Sequence, residues 1–148
     1  MKILALDCAT KTGWAYWDGK RLVSGVQDFA LKRGESRGIL FLRFNRWLRQ
    51  EFGGAGIVTY EQAHHRGGAA TEVCVGLTTR AQEFAAEIRA ESLPCHTATL
   101  KKFATGSGRA GKGDVVAAVM VRWGIGAQDD NEADAVALVQ WAKEEVGA

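Results

Sequence analysis

The chain has 148 residues, of which 47% are hydrophobic and 24% charged, and its formal net charge is +2. That describes one ordinary globular domain over 1–148, with enough chain to bury a core without staples, and excludes a disordered segment or a disulfide scaffold. No apolar run approaches a membrane span, and the start lacks the basic-then-apolar pattern of a secretory signal, so no membrane partner and a cytoplasmic location are expected.

Cys8, Cys74 and Cys95 are odd in number, far apart and without zinc spacing, and read as reduced small hydrophobes. So mild a charge neither demands nor excludes nucleic acid, and its distribution must decide. The run Ile3-Leu4-Ala5-Leu6 has no polar alternation, as in a strand buried on both faces, and it ends on Asp7. A carboxylate there needs a partner. Trp14 to Trp17 resumes an extended pattern, Asp18-Gly19 signals a hairpin turn, and Arg21 to Leu31 continues as a third strand with a bulge at Gly25. From Ser36 to Phe52 the apolar residues Leu40, Phe44, Trp47 and Leu48 follow a 3.6-residue period, giving a helix stopped by Gly53-Gly54. Its arginines at 37, 43, 46 and 49 form a solvated face. Ile57-Val58-Thr59-Tyr60 is a second buried-type strand, and it too ends on an acid, Glu61.

A polar, glycine-bearing loop from Gln62 to Gly68 precedes a helical pattern from about Ala70 to Glu91, ended by Pro94. Its residues Ala69, Val73, Gly76 and Leu77 suit a core face and a face for a second copy equally. Cys95 to Ala98 reads as an edge strand in which His96 is an ordinary member, and Thr99 starts a short helix through Phe103. The segment Thr105 to Gly113 is flexible, basic and glycine-rich. A helix runs from about Asp114 to Trp123 and stops at Gly124. The last helix begins near Asp129, continues to Ala142 and is apolar nearly all round, with Asp134 inside that pattern. Asp129 and Glu132 have the spacing of a capping box and are read so rather than as ligands. This order of elements makes an α/β domain with a mixed sheet.

Asp7, Glu61 and Asp134 come from three elements and converge if the first and fourth strands are neighbours. Clustered carboxylates repel unless cations sit between them, and hard oxygen ligands select Mg²⁺ or Mn²⁺ over zinc. Two such ions about 3.5–4 Å apart activate a water and stabilise the attacking and leaving oxygens of a phosphodiester. Plainer readings exist for two of the acids: Asp7 as a strand-end turn residue, Glu61 as a surface carboxylate beside Arg66. Asp134 resists one, since an Asp in an Ala/Val/Leu helix is costly without a partner.

Leu4-Ala5-Leu6-Asp7, Tyr60-Glu61-Gln62, Lys101 with Gly106-Ser107-Gly108-Arg109-Ala110-Gly111-Lys112, and Asn131-Glu132-Ala133-Asp134-Ala135 together resemble the RuvC-type Holliday-junction resolvases, in particular the short resolvase-like proteins of phages and prophages. The likeness runs in order over nearly the whole chain, and the ensemble is specific although each piece alone is weak. It implies a ribonuclease H-like fold with a mixed five-stranded sheet flanked by helices, a homodimer, and two Mg²⁺ ions per site for which Mn²⁺ can substitute. The implied activity is paired nicking of a four-way junction or other branched DNA, in the cytoplasm of a bacterium or phage-infected host cell. Position by position, Asp7 would bridge the two metals, Glu61 would ligate one, Asp134 would be the essential acid of the last helix, and Lys101 and Lys112 would face the phosphates at the scissile bond. Lys102, Arg109, His64 and Arg66 complete the DNA-facing set.

Two positions depart from the family pattern. An acid or His is common three residues before Asp134, where this chain has Asn131, whose neutral amide oxygen still ligates a hard cation; Asp130 is the alternative after a small shift. An aromatic that wedges into the junction is common where this chain has His64. Other classes share parts of the pattern. ATP-handling proteins of the actin and sugar-kinase group have the fold and the acid-ended first strand but are usually duplicated and much longer. A junction-binding protein without cleavage would follow if Asn131 left the metal site too weak.

Overall fold

The computed structural model describes residues 1–62 and 67–148. In chain order these form β1 (Ile3–Asp7), β2 (Lys11–Trp17), β3 (Leu22–Asp28), α1 (Arg37–Phe52), β4 (Ile57–Glu61), α2 (Ala69–Glu87), β5 (Glu91–Cys95), α3 (Thr97–Thr105), α4 (Lys112–Trp123) and α5 (Asp130–Glu145). The sheet has the order β3-β2-β1-β4-β5. β1, β2 and β3 form an antiparallel meander, while β4 and β5 extend it in parallel from β1. The mixed five-stranded sheet and the adjacency of the first and fourth strands are therefore both present. Among the described residues, no helix is long and apolar enough to cross a membrane.

Alternation along the strands divides the core into two layers. Ile3, Ala5 and Ile57 pack on one face against α3, α4 and α5, and Leu4, Leu6, Val58 and Tyr60 pack on the other against α1 and α2. Because strand side chains alternate with period two, Asp7 continues the Ile3-Ala5 row and Glu61 the Ile57-Thr59 row, both toward α5. The parallel ladder runs from Ile3 opposite Ile57 to Leu6 opposite Tyr60, so Asp7 and Glu61 are the next residues on neighbouring strands.

α5 lies against the sheet and is buried nearly all round, with Ala133, Ala135, Ala137 and Ala142 fully buried. The closest approach is at Gly13, the β2 residue paired with Asp7: a Cβ there would stand 1.9 Å from the backbone oxygen of Asn131. The first turn of α5 thus rests on bare backbone, level with Asp7.

Several boundaries differ from the sequence expectation. β3 pairs with β2 without interruption from Lys11–Asp28 to Trp17–Leu22, so Gly25 makes no bulge; it leaves room for the Trp14 indole, which would lie 3.1 Å from a Cβ there. α2 stops at Glu87, and the chain reverses through Arg89, which takes a positive φ of 60°. Glu91–Cys95 is then a strand, not the end of a helix. Pro94 sits inside it, where an edge strand tolerates a missing N–H. His96 is the N-cap of α3 rather than a strand residue. α3 starts at Thr97 and α4 at Lys112, two residues earlier in each case than the sequence pattern indicates, so helix takes up part of the basic glycine-rich segment. The capping box at α5 is half realised: Asp129 Oδ1 accepts from the Glu132 backbone N–H at 2.9 Å. The Glu132 carboxylate is buried and instead accepts from the Ser24 hydroxyl at 2.7 Å and the Gln128 backbone N–H at 2.9 Å, tying α5 to β3.

Candidate active site

Asp7 ends a strand whose first four residues are fully buried, and the turn after it is closed by the Thr12 hydroxyl donating to the Ala9 carbonyl at 2.6 Å. Glu61 ends the neighbouring parallel strand, and Asp134 comes down from the second turn of α5. Carboxylate oxygens of the three lie within 4.8 Å of one another, each residue partly buried. Strand register, strand alternation and the close seat of α5 are together what bring them there.

Such proximity has a measurable electrostatic cost. Burial holds the Asp7 carboxyl well above the usual carboxylate range, and the charges of Asp134, Glu61 and Asp130 add to the effect. Asp134 is pushed up to about 7, first by burial and then by Glu61. A hydrogen bond joins the two, raising Asp7 and lowering Asp134. A carboxyl with a higher pKa in the folded protein binds more protons folded than unfolded, so its contribution to stability falls as pH rises through that window. Metal-free protein is accordingly expected to melt at progressively lower temperature from about pH 4, the unfolded carboxylate value, to about 7. Thermal unfolding in chelator across this range checks the slope, and saturating Mg²⁺ is expected to flatten it.

The remaining sequence candidates separate into two groups. Lys101, on α3, is near enough for its charge to lower the Asp134 pKa. Lys112, at the start of α4, is largely exposed, with its Nζ 3.6 Å from Asp130 Oδ2. Asp130 stands one turn before Asp134, and its charge bears on both Asp7 and Asp134. Asn131 donates from Nδ2 to the Lys11 carbonyl at 2.8 Å, which orients its amide and leaves Oδ1 over. Lys102 is exposed on α3, and Arg109 is exposed in the α3–α4 loop, its backbone N–H on the Ser107 hydroxyl. His64 and Arg66 lie outside the described residues.

One contact of the site had no sequence signal: the Thr97 hydroxyl donates to Glu61 Oε1. A threonine at a helix start reads as a cap, and only the pairing of β4 with β5 reveals which acid it reaches. The cysteines are free as expected. Burial pushes the thiols of Cys8 and Cys74 up, which keeps them protonated and inert.

No protein-family model matches the chain, and no curated protein matches its sequence. The likeness is one of structure: the mixed sheet flanked by helices is a ribonuclease H-like fold. The structure of Thermus thermophilus RuvC shares it at a TM-score of 0.77 and 18% identity, over 99% of this chain and 97% of that one. T. thermophilus RuvC in complex with Holliday junction substrate matches at the same TM-score and identity, over 98% and 96%. The resemblance to RuvC carried by the sequence motifs is thus matched by the fold along nearly the full chain.

Proposed function

We propose that the protein is a divalent-metal-dependent endodeoxyribonuclease that cuts four-way junctions or other branched DNA. The observation that carries this reading is the convergence of Asp7, Glu61 and Asp134 within 4.8 Å at the end of two parallel strands. Asp7 and Asp134, both raised first by burial and further by the Glu61 charge, form with Glu61 a hard-oxygen donor set of the kind that Mg²⁺ or Mn²⁺ relieves. Asp7 would hold both ions, with Glu61 and Asp134 each holding one. Asn131 Oδ1 or the Asp130 carboxylate would complete the set. When bound, the ions supply a hydroxide at neutral pH and positive charge at the reacting phosphate.

The cations of the chain have distinct parts in this reading. Lys101 and Lys112 flank the acids and would neutralise and orient phosphate oxygens at the scissile bond. Lys112 would leave Asp130 to do so. Lys102 and Arg109, farther out, would hold the DNA backbone, as would His64 and Arg66. Symmetrical cutting of a junction calls for two sites related by a twofold axis, so a homodimer belongs to the same proposal. A bacterial or phage-infected cytoplasm fits the substrate.

The test is cleavage of a labelled four-way junction beside matched linear duplex and single strand, with Mg²⁺, Mn²⁺ or chelator. Paired nicks on opposite strands, dependent on metal and confined to the junction, are the expected product. Tight junction binding with no nick under any metal would leave a binding module, and neither binding nor cutting would overturn the nucleic-acid reading. Within it, Arg109→Ala is expected to lower the slope of log K against log salt by about one without changing the nicking rate at saturating junction. Lys112→Ala is expected to lower that rate. Salt titrations and single-turnover rates separate the two.

A further inference from the structure

We propose that Thr97 is the positioning residue for Glu61: its hydroxyl holds one carboxylate oxygen and thereby presents the other to a divalent ion. The inference rests on the metal-centre reading above and adds a residue to it.

The argument begins in the sheet. β4 and β5 are parallel, with Glu61 opposite Cys95 at the end of the ladder. The Gln62 backbone N–H donates to the Cys95 carbonyl at 2.8 Å, so the two chains stay paired one residue past Glu61. α3 begins immediately beyond, with His96 as an N-cap that makes no side-chain capping bond and Thr97 as its first residue. This brings the Thr97 hydroxyl to Glu61 Oε1. The unsatisfied N–H groups of a helix start also favour a carboxylate at that place.

A Glu side chain carries three rotatable bonds, and ordering it costs entropy that a metal must otherwise supply on binding. Donating to Oε1 fixes the carboxylate plane before the ion arrives, the role outer hydrogen bonds have at metal centres. The donor is itself well anchored. Four residues on, and so on the same face of α3, Lys101 directs its charge to Asp134. At the other end, Phe103 stacks on Trp123 of α4, and Arg122 lies against both rings, 5.1 and 4.5 Å from their centres, and donates to the Ala104 carbonyl at 3.2 Å. One helix, pinned to α4, therefore addresses two of the three acids.

The experiment measures Mn²⁺ binding to the full-length protein by the paramagnetic resonance of free Mn²⁺, for wild type, Thr97→Val, Thr97→Ala and Thr97→Ser. Losing such an outer partner costs about 10–100-fold in metal affinity. That loss is expected for Val and Ala, with Ser regaining most of it and melting temperatures staying close to wild type. Valine keeps the shape and alanine relieves any crowding, so if one fails to fold the other decides. In junction nicking, the Mg²⁺ concentration at half-maximal rate should rise by the same factor while the rate at saturating Mg²⁺ holds. Equal Mn²⁺ affinity with and without the hydroxyl, in a wild type that binds Mn²⁺ and nicks, would overturn the role of Thr97 alone. A wild type that neither binds Mn²⁺ nor nicks would overturn the metal centre itself and this inference with it.

Discussion

Asp7→Asn is expected to give a protein that melts several degrees higher than wild type in chelator and has lost metal-dependent nicking. The two effects share one cause. In the metal-free protein the Asp7 carboxyl is held well above the usual carboxylate range, first by burial and then by the charges of Asp134 and Glu61. An amide of the same shape removes that electrostatic strain, and its N–H can still donate to Asp134. The same amide cannot bridge two cations as a carboxylate does. Removing one preorganised electrostatic group typically costs about 10²–10³-fold in rate, and loss of the residue proposed to hold both ions belongs at or beyond the upper end. Ligand linkage gives a second signature: at 100 times its dissociation constant, Mg²⁺ stabilises a wild-type site by about 2.7 kcal/mol, and the variant should show little of this. Melting curves with and without Mg²⁺, beside nicking rates at saturating junction, test both halves. A variant that nicks at the wild-type rate would remove Asp7 from the chemistry.

Gly13→Ala carries the second large effect, this time through packing. The added methyl would sit 1.9 Å from the Asn131 carbonyl oxygen and 2.1 Å from its carbon, both backbone atoms of α5. No side-chain rotation relieves that contact, so the helix must lift from the sheet. Overpacking costs about 1–3 kcal/mol, and a backbone collision this close belongs at ~3 kcal/mol, which lowers the melting temperature of a chain this size by roughly 10 °C. Lifting the first turns of α5 also withdraws Asp134 from Asp7 and Glu61, so the folded fraction should bind Mn²⁺ poorly as well. Gly113→Ala is the control: nothing lies within 4 Å of a Cβ there, and stability should hold or rise by about 0.4–1 kcal/mol. Melting temperatures and Mn²⁺ titrations of the two variants check the contrast.

Much of this architecture was legible in the amino-acid order because its signals are local. Ile3 to Leu6 and Ile57 to Tyr60 are apolar runs that end on acids, and such runs mark central parallel strands without any knowledge of their neighbours. The Ala/Val/Leu pattern around Asp134 likewise announces a buried helix carrying one polar side chain. What was misread depends on partners distant in sequence. Pro94 reads as a helix terminator until β5 is known to lie at the edge of the sheet. Gly25 reads as a bulge because the Trp14 indole it accommodates belongs to another strand. Glu132 fits a capping box by spacing, yet its carboxylate turns to Ser24, 108 residues away. Thr97 shows the same limit within the site, since its partner Glu61 is 36 residues earlier.

Pro94 has a wider consequence for how the molecule behaves among its own copies. The Glu91 backbone N–H and the Cys95 carbonyl both point at β4, toward Gly56 and Gln62. By alternation Ser92 and Pro94 are the β5 residues whose backbone faces outward. Of those two positions, one offers no N–H at all. A foreign strand laid along β5 would find the middle of its ladder missing, and the sheet is guarded on that side against the edge-to-edge aggregation that open strands invite.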